Sequence, residues 1–295
     1  MTASSSASSK LPRAPRVSVG IGSWTDKEYT PLVFPKGVKS DERLKIYATR
    51  FDHVEVNAGY HVIPPRDRVA NWVAQTPPGF VFDFKLHRDF SESPEISARN
   101  AGLIAQLLRS AEPMAEAGKL GAFFLILPAS FTPTQHRLEA IDPLIEKLRP
   151  HLLALELRHR AWVEGEERAR TFDFYRARGL VWVAVDMPRI ADSTMLPPID
   201  EVTNPQLAYL RLHGRRPDWF QLKEQKQRHA YEYSAAELDE IAARVRTLAA
   251  KAEVVHVVAN NHAQDFAPKT ALALQKLLGV ARPKIETTGE LFPTM

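Results

Sequence analysis

The sequence contains no cysteine and no long apolar run, and these two absences exclude several classes of protein. Without cysteine among its 295 residues there is no disulfide, thiolate nucleophile, iron–sulfur cluster or cysteine-ligated zinc. No stretch approaches the roughly 18 apolar residues of a membrane-spanning helix. The first residues also lack the apolar core of about 7–15 residues that a secretory signal requires. We therefore expect a cytoplasmic protein with no membrane partner.

A strong charge of either sign is also missing. The 39 Lys and Arg residues against 35 Asp and Glu residues give a formal charge of +4. This mild excess permits an anionic partner without requiring one. Hydrophobic residues make up 44% of the chain and charged residues 25%, an ordinary globular composition that excludes wholesale disorder. A chain of this length can bury a sizeable core.

Both ends of the chain have the composition of tails. Residues 1–16 are rich in Ser and Ala, and no acidic residue precedes Asp26. We predict a disordered N-terminal tail there, with an organelle transit peptide as the alternative. Residues 281–295 show no clear periodicity, which predicts a poorly ordered C-terminal extension. A single domain over residues 17–280 remains between them.

Eight short apolar runs of strand character recur along this domain. They lie about 34 residues apart, close to the roughly 30 that a strand and its crossover helix need. They are rich in Val, Leu and Phe, as strands are. The predicted strands are Val17–Trp24, Val54–Asn57, Phe80–His87, Ala122–Leu127, Leu152–His159, Val181–Asp186, Ala208–His213 and Val254–Asn261.

Helical patterns occupy most of the gaps between these strands. Ser234 and Glu237 form the capping box at the start of one of them. The gap Met187–Pro205 holds four prolines, so we expect an irregular sixth crossover there. The predicted helices are Glu42–Phe51, Ala98–Ala117, Leu138–Leu148, Ser234–Ala250 and Ala267–Leu278.

Alternation of strands and helices predicts one (β/α)8 TIM barrel. A doubly wound open sheet is the alternative. Such a sheet usually carries a glycine-rich phosphate turn after an early strand, and only a lone Gly20-Ile21-Gly22 is present.

Charged residues alternate with apolar residues in several predicted strands. Side chains in a strand have period two, so each charged set shares one face. The apolar set must meet the helices, which leaves the charged set pointing into the barrel, toward the carboxyl-terminal mouth. A solvated antiparallel sheet face and a structural ion-pair network are the alternatives. The alternating sets are Glu55 and Asn57; Asp83, Lys85 and His87; Glu156 and Arg158; and Tyr209, Arg211 and His213.

Six blocks, quoted at the end of this paragraph, resemble the YecE-like family, known as domain of unknown function 72. The resemblance runs from about Val19 to about Gly279. It implies a TIM barrel and brings no settled biochemical activity with it; fold-level likeness to sugar isomerase and apurinic-endonuclease barrels says little about function. The blocks are FDHVEVNAGYHVIP, WVAQTPPGFVFDFKLHR, KLGAFFLILPASF, LALELRHRAW, YLRLHGR and VVANNHAQDFAPKTALALQKLLG.

Positions that match the family's polar blocks supply the candidate site. The expected catalytic residues are Glu55, Glu156, Lys85, Asp186 and His213. The expected substrate-binding residues are Asn57, Tyr60, Arg158, His159, Trp162, Arg211, Arg215, Asn260 and Asn261.

The chain also departs from the family pattern. Gly20–Asp26 replaces a block that usually reads Gly-Thr-Ser-Gly-Trp-Ser-Tyr, Ala58–His61 replaces Ser-Thr-Phe-Tyr, and Ile126 stands where glutamine is common. These changes remove polar groups near the mouth and indicate altered substrate contacts.

The cations suggest an anionic ligand. Arginine offers a planar fork that suits phosphate or carboxylate, so we expect Arg158, Arg211 and Arg215 to bind a phosphate-bearing ligand. Glu55 and Glu156 are the best candidates for general acid and base, because crowding two carboxylates separates their pKa values. The alternatives are that each glutamate only pairs with a cation, and that Lys85 is a Schiff-base amine.

We predict no cofactor. His87, His159, His213 and His262 end strands or begin loops and could bind a divalent metal with carboxylates. Neighbouring lysine and arginine residues would repel a divalent metal ion there, so they disfavour a metal site. The segment 211–228 is basic, and Trp219 and Phe220 interrupt it, which is typical of single-stranded nucleic-acid binding or of an ordinary solvated loop.

Three functions fit these observations. The leading hypothesis is a TIM-barrel enzyme that acts on an anionic, phosphate-bearing, sugar-containing small molecule by acid/base chemistry at the mouth. The second is a nucleic-acid-binding or processing protein, like an endonuclease barrel, using the same basic mouth. The third is a non-catalytic barrel that binds a metabolite.

Overall fold

The structure is a computed structural model that describes residues 16–97 and 100–281. The predicted tails therefore lie outside the described residues except for their innermost positions. Arg16, assigned to the N-terminal tail by composition, already belongs to the first strand. It is placed there by backbone pairing with the last strand, opposite Val254, a contact that sequence composition does not show.

The eight strands form one closed parallel barrel in chain order. Each strand pairs with its sequence neighbour, and the last pairs with the first over six residues. The predicted (β/α)8 barrel is confirmed. The strands are β1 Arg16–Ile21, β2 His53–Val56, β3 Val81–Lys85, β4 Leu120–Ile126, β5 Leu153–Glu156, β6 Val181–Asp186, β7 Leu207–Leu212 and β8 Val254–Ala259.

Helices lie between most strands. No helix occurs in residues 187–206, all of which the structure describes, so the sixth crossover is irregular as predicted. The α-helices are α1 Arg43–Arg50, α2 Arg66–Ala74, α3 Arg88–Glu92, α4 Ala101–Glu116, α5 Asp142–Leu148, α6 Gly165–Arg178, α7 Gln225–Arg228, α8 Ala235–Ala249 and α9 Phe266–Leu277. Short 3-10 segments are Lys27–Tyr29, Ala58–Tyr60, Leu138–Ile141 and Arg160–Val163.

Local chemistry explains where two of these helices begin. The capping box before α8 is present, with the Ser234 hydroxyl accepting from the Glu237 N–H and the Glu237 carboxylate accepting from the Ser234 N–H. The helix predicted over Leu138–Leu148 is instead divided into a 3-10 segment and α5. Proline has no N–H to donate, so Pro143 fits only in the first turn of α5.

Alternation along the strands separates two apolar regions. One set of side chains packs outward against the helices and forms the main core, including Leu210 and Leu212 of β7. The other set fills one side of the barrel interior, where Phe124 stacks on Tyr209 with ring centroids 5.6 Å apart. The polar interior residues, such as Arg211, share the parity of this second set. Among the described residues, no helix is long and apolar enough to cross a bilayer.

Candidate active site at the carboxyl-terminal mouth of the barrel

A cavity of about 760 Å³ opens at the carboxyl ends of the strands. Residues at or just after all eight strands line it, as the barrel architecture predicts. Six of the predicted site residues are among the lining: Asn57, Tyr60, Lys85, Arg158, Arg211 and Asn260.

Arg211 joins two buried carboxylates beneath the cavity. Its Nε donates to Glu55 Oε2 at 2.9 Å and its Nη2 to Glu55 Oε1 at 2.8 Å. Its Nη1 donates to Glu156 Oε2 at 2.6 Å. The guanidinium carbon lies 4.6 Å from the centre of the Phe124 ring. Although burial opposes it, the two carboxylates raise the pKa of Arg211, so it remains a permanent cation.

Arg158 pairs with the other side of Glu156. The Arg158 Nε contacts Glu156 Oε1, and the arginine side chain is 20% exposed whereas the glutamate is fully buried. Burial alone would raise the pKa of Glu156, but Arg158 and Arg211 hold it well below its usual value. Glu156 is therefore an ionised carboxylate at neutral pH and cannot donate a proton.

His213 lies beneath the same network in a neutral form. Burial and then the nearby Arg158 lower its pKa to about 3. Asn260 Nδ2 lies 3.1 Å from His213 Nδ1 and must be the donor there, so the imidazole proton is on Nε2. That nitrogen lies 3.5 Å from Glu156 Oε1. His213 thus orients Glu156 rather than exchanging a proton at neutral pH.

Lys85 differs from the two arginines because no carboxylate is bonded to it. Within the part of the chain that the structure describes, its Nζ makes no ion pair and lies 4.1 Å from the centre of the Tyr60 ring. A close turn brings Tyr60 there, since a Cβ at Gly59 would lie only 2.7 Å from the Phe84 ring. Burial lowers the pKa of Lys85 to about 8, and Arg211 and Arg158 act in the same direction. At neutral pH it is mostly an ammonium ion in the cavity wall.

The charges of this site do not balance. Lys85, Arg158 and Arg211 face Glu55 and Glu156, so three cations meet two carboxylates and one positive charge is left over. Buried charges are costly unless paired. A bound anion would supply the missing charge.

Asp186 is not part of this cluster, contrary to the sequence-based expectation. Its carboxylate binds Arg215 at 2.7 and 2.9 Å, Arg244 of α8 at 3.1 Å and the Tyr233 hydroxyl at 2.8 Å. In the sheet, Asp186 is paired with the outward-facing Leu212, whereas its neighbour Val185 is paired with Arg211. Asp186 and Arg215 therefore connect β6 to the helical layer and do not line the cavity.

Three further predicted residues also lie away from the cavity. Trp162 is buried, donates to the Phe131 carbonyl at 2.7 Å and stacks on the Phe131 ring. His159 accepts the Ala161 N–H and begins a 3-10 segment. Asn261 braces the eighth crossover by donating to the Tyr231 carbonyl and the Thr270 hydroxyl. Glu55, Glu156 and His213 lie directly below the lining.

Residues from loops complete the wall. The irregular crossover folds back along the end of β5, where Arg160 N–H donates to the Thr194 carbonyl and Leu196 N–H to the Arg158 carbonyl. This pairing places Met195 on the cavity. The lining residues that received no site role from the sequence include His61, Ser91, Met187, Met195 and His229. Except for Ser91 in the short helix α3, these positions lie outside regular helices and strands and carry no periodicity, so no sequence pattern marked them.

The histidines suggested as metal ligands do not gather at the mouth. Among residues 16–97 and 100–281, the group with metal-ligand spacing is His53, Asp83 and His256, deep in the barrel. Asp83 Oδ2 lies 2.5 Å from His53 Nε2 and 2.9 Å from His256 Nδ1, which are hydrogen-bond distances. Burial would raise the pKa of Asp83, but the two imidazoles hold it far below its usual value. In the structure these three side chains form a hydrogen-bonded triad.

The fold and the mouth define a class: a (β/α)8 barrel with an ionic cavity at the carboxyl-terminal rim. Comparison with known proteins specifies the family, because the model "Protein of unknown function DUF72" matches residues 18–293. The chain belongs to the DUF72 family, as the YecE-like resemblance indicated.

Relatives support this assignment over most of the chain. The UPF0759 protein YunF of Bacillus subtilis (strain 168) is 23% identical over 272 residues, covering 90% of this chain and 95% of YunF. A DUF72 family protein of Enterococcus faecalis V583 has a TM-score of 0.79 and 28% identity, covering 89% of this chain and 95% of its own. One from Thermotoga maritima MSB8 has a TM-score of 0.78 and 27% identity, covering 90% and 99%.

Proposed function

We propose that the protein is an enzyme that binds a phosphate-bearing, sugar-containing small molecule in the mouth cavity and transfers a proton on it. The observation that carries the proposal is the surplus positive charge at Lys85 beside Arg158. Anions bind where preorganised cations lie in a partly desolvated pocket. We place the phosphate between these two side chains.

The roles within this proposal follow from the pairing of the charges. Arg158 is the permanent cation for the phosphate. Lys85, with a pKa of about 8, is the group that can give up and take back a proton near neutral pH. Arg211 keeps Glu55 and Glu156 in place below, so Glu156 acts as an ionised carboxylate and not as the acid.

Lys85→Met tests the phosphate site. Removing a charged hydrogen-bond donor costs about 1.5–3 kcal/mol, so the dissociation constant for inorganic phosphate or ribose 5-phosphate should rise roughly 10- to 150-fold. In the wild type, affinity should also fall as the pH rises from 7 to 9.5, because Lys85 loses its charge around its pKa of about 8. Isothermal titration calorimetry measures both effects.

Lys226→Met is the matched control, because Lys226 is an exposed lysine paired with Glu28 outside the cavity lining. It should bind phosphate as the wild type does and keep the pH dependence. Equal affinity in Lys85→Met and the wild type, with the same pH profile, would show that Lys85 does not hold the anion.

A nucleic-acid function is the second candidate, and Phe220 favours it. This side chain is 57% exposed on the cavity lining, close in sequence to Lys223 and Arg228, which also line it. However, four cations of the basic segment are already paired with carboxylates, which weakens a continuous basic track: Arg211, Arg215, Arg216 and Lys226. The surplus charge at Lys85 therefore favours a small anion.

Salt dependence separates the two candidates. Binding of a single-stranded oligonucleotide that neutralises several phosphates would weaken steeply between 50 and 200 mM salt. On the small-molecule proposal we expect a shallow dependence and no gain in affinity when an oligonucleotide replaces a mononucleotide. Fluorescence anisotropy with labelled single-stranded RNA and DNA gives this slope, and a steep slope would favour the nucleic-acid function.

A further inference from the structure

The cavity has two chemically different walls. The loops after β6 and β7 contribute four large apolar side chains, Met187, Met195, Trp219 and Phe220, together with the polar or charged Thr194, Lys223, Gln225, Arg228 and His229. The segments after β1, β2 and β3 contribute mainly polar groups, among them Asn57, Tyr60 and Lys85. In a closed eight-stranded barrel in chain order, β6 and β7 lie across the axis from β2 and β3. A ligand that fills the mouth therefore meets mainly polar groups and Lys85 at one end, and at the other it meets large apolar side chains that lie among two further cations, Lys223 and Arg228.

Two aromatic residues in the loop after β7 differ in their burial. Trp219 is only 7% exposed, and its ring lies 5.0 Å from His229 in an edge-to-face contact. His229 in turn stacks on His262 at 4.9 Å, so the tryptophan is held by its neighbours. Phe220 is 57% exposed, although it belongs to the same loop. An exposed aromatic ring beside a preformed cavity is a surface that a planar apolar group can cover.

Position distinguishes Phe220 from the other exposed apolar side chains. In the described part of the chain the large exposed hydrophobic residues are Val62, Leu277 and Phe220, and of these Phe220 lines the cavity. The cavity of about 760 Å³ lies within the range of about 300–1,000 Å³ that drug-sized ligands occupy. It has room for a ring system in addition to a sugar phosphate.

Apolar residues at the end of β4 lie on the same lining. Ile126 borders the cavity together with Pro128 and Ala129. An apolar side chain there cannot bond a sugar hydroxyl, and it extends the apolar surface to the loop after β4. The lining thus favours a ligand with one apolar end over a fully hydroxylated sugar.

We propose that the substrate is a phosphate joined through a sugar to a planar aromatic base, that is, a nucleoside monophosphate or a close chemical analogue. The phosphate lies at Lys85 and Arg158, and the base lies against Phe220 beside Met195. This inference rests on the proposed function for the phosphate end and adds the group at the other end. It identifies Phe220 as a specificity-determining residue.

The test compares five probes by isothermal titration calorimetry: inorganic phosphate, ribose 5-phosphate, adenosine, adenosine 5′-monophosphate and, as its pyrimidine counterpart, uridine 5′-monophosphate. A stacked base should make a monophosphate bind roughly 5- to 150-fold more tightly than ribose 5-phosphate. Phe220→Ala should remove most of that ratio and leave the affinity for ribose 5-phosphate unchanged. Lys85→Met should weaken both phosphates alike and preserve the ratio.

Leu277→Ala is the control, because Leu277 is a partly exposed apolar residue at the end of α9, outside the cavity lining. It should change none of the affinities. Equal affinity for ribose 5-phosphate and both monophosphates, or a ratio that survives in Phe220→Ala, would overturn this inference and leave the phosphate site intact. Binding of adenosine as tight as that of its monophosphate would instead contradict the proposed function. Failure of every probe to bind would contradict both.

Discussion

Replacing Arg211 with leucine should lower the free energy of unfolding by about 3–5 kcal/mol, the cost of removing one partner of a buried ion pair. The variant would leave Glu55 and Glu156 without their shared donor in the barrel interior, where both are fully buried. It would also remove the cation from the face of Phe124. Urea unfolding followed by circular dichroism measures the change.

Arg216→Leu provides the control for this prediction. Arg216 pairs with Asp218 at 2.6 Å, but both side chains are about one-third exposed, so its loss should cost less than about 1 kcal/mol. Arg211→Lys should lie between the two, since it keeps the charge and cannot make three directed bonds at once. The prediction fails if Arg211→Leu is as stable as Arg216→Leu. If Arg211→Leu does not fold, the comparison is made with Arg211→Lys.

Acidification below about pH 6.5 should destabilise the protein steeply because of two buried neutral histidines. Burial lowers the pKa of His213 to about 3 and that of His229 to about 2. The unfolded chain takes up a proton on each near pH 6.5, whereas the folded chain does not until far lower pH. Stability is therefore complete above pH 6.5 and falls by about 1.4 kcal/mol per pH unit for each histidine as the pH drops toward these values.

His229→Gln should remove one of these proton-linked contributions. Its slope of unfolding free energy against pH, between pH 6 and 4.5, should be shallower than that of the wild type by about 1.4 kcal/mol per pH unit. Urea titrations at intervals of half a pH unit give the slopes. Identical slopes in His229→Gln and the wild type would show that His229 takes no part in the acid response.

Below about pH 4.5 the carboxylates add to this effect. Burial would raise the pKa values of Asp83 and Glu156. Histidine partners of Asp83 and arginine partners of Glu156 nevertheless hold both pKa values below their usual range. Their stabilising contributions are present above the unfolded pKa and are lost as the pH falls further. The free energy of unfolding should therefore fall more steeply with decreasing pH below about pH 4.5 than it does above that pH.

The alternation of charged and apolar residues along the strands correctly predicted that the central ionic side chains point inward. It failed in the strand where charged and apolar residues do not alternate. In VEVN and YLRLH, charged and apolar residues alternate, so the inward direction of Glu55 and Arg211 follows from the sequence. The strand VWVAVD is apolar at every position before Asp186, so nothing in it marks the face of that aspartate. Its outward direction is set by the register with β7, which the sequence does not encode locally.

Arg215 shows a second reason why local patterns fail. Gly214 has a φ of +89° and a Cβ there would lie 2.5 Å from Tyr231, so the chain turns sharply after His213. That turn ends the two-residue alternation. Arg215 consequently reaches Asp186 and Glu240 instead of the anion site that its position after β7 suggested.

The sequence by itself determined the barrel, the irregular sixth crossover and the inward face of the alternating strands. These depend on hydrophobic periodicity, proline chemistry and spacing, which act over a few neighbouring residues. Only the tertiary structure decided which cation pairs with which carboxylate, that Lys85 is left without one, and that Met195 and Phe220 face the mouth. Those outcomes depend on distances between segments far apart in the chain, which no local pattern encodes.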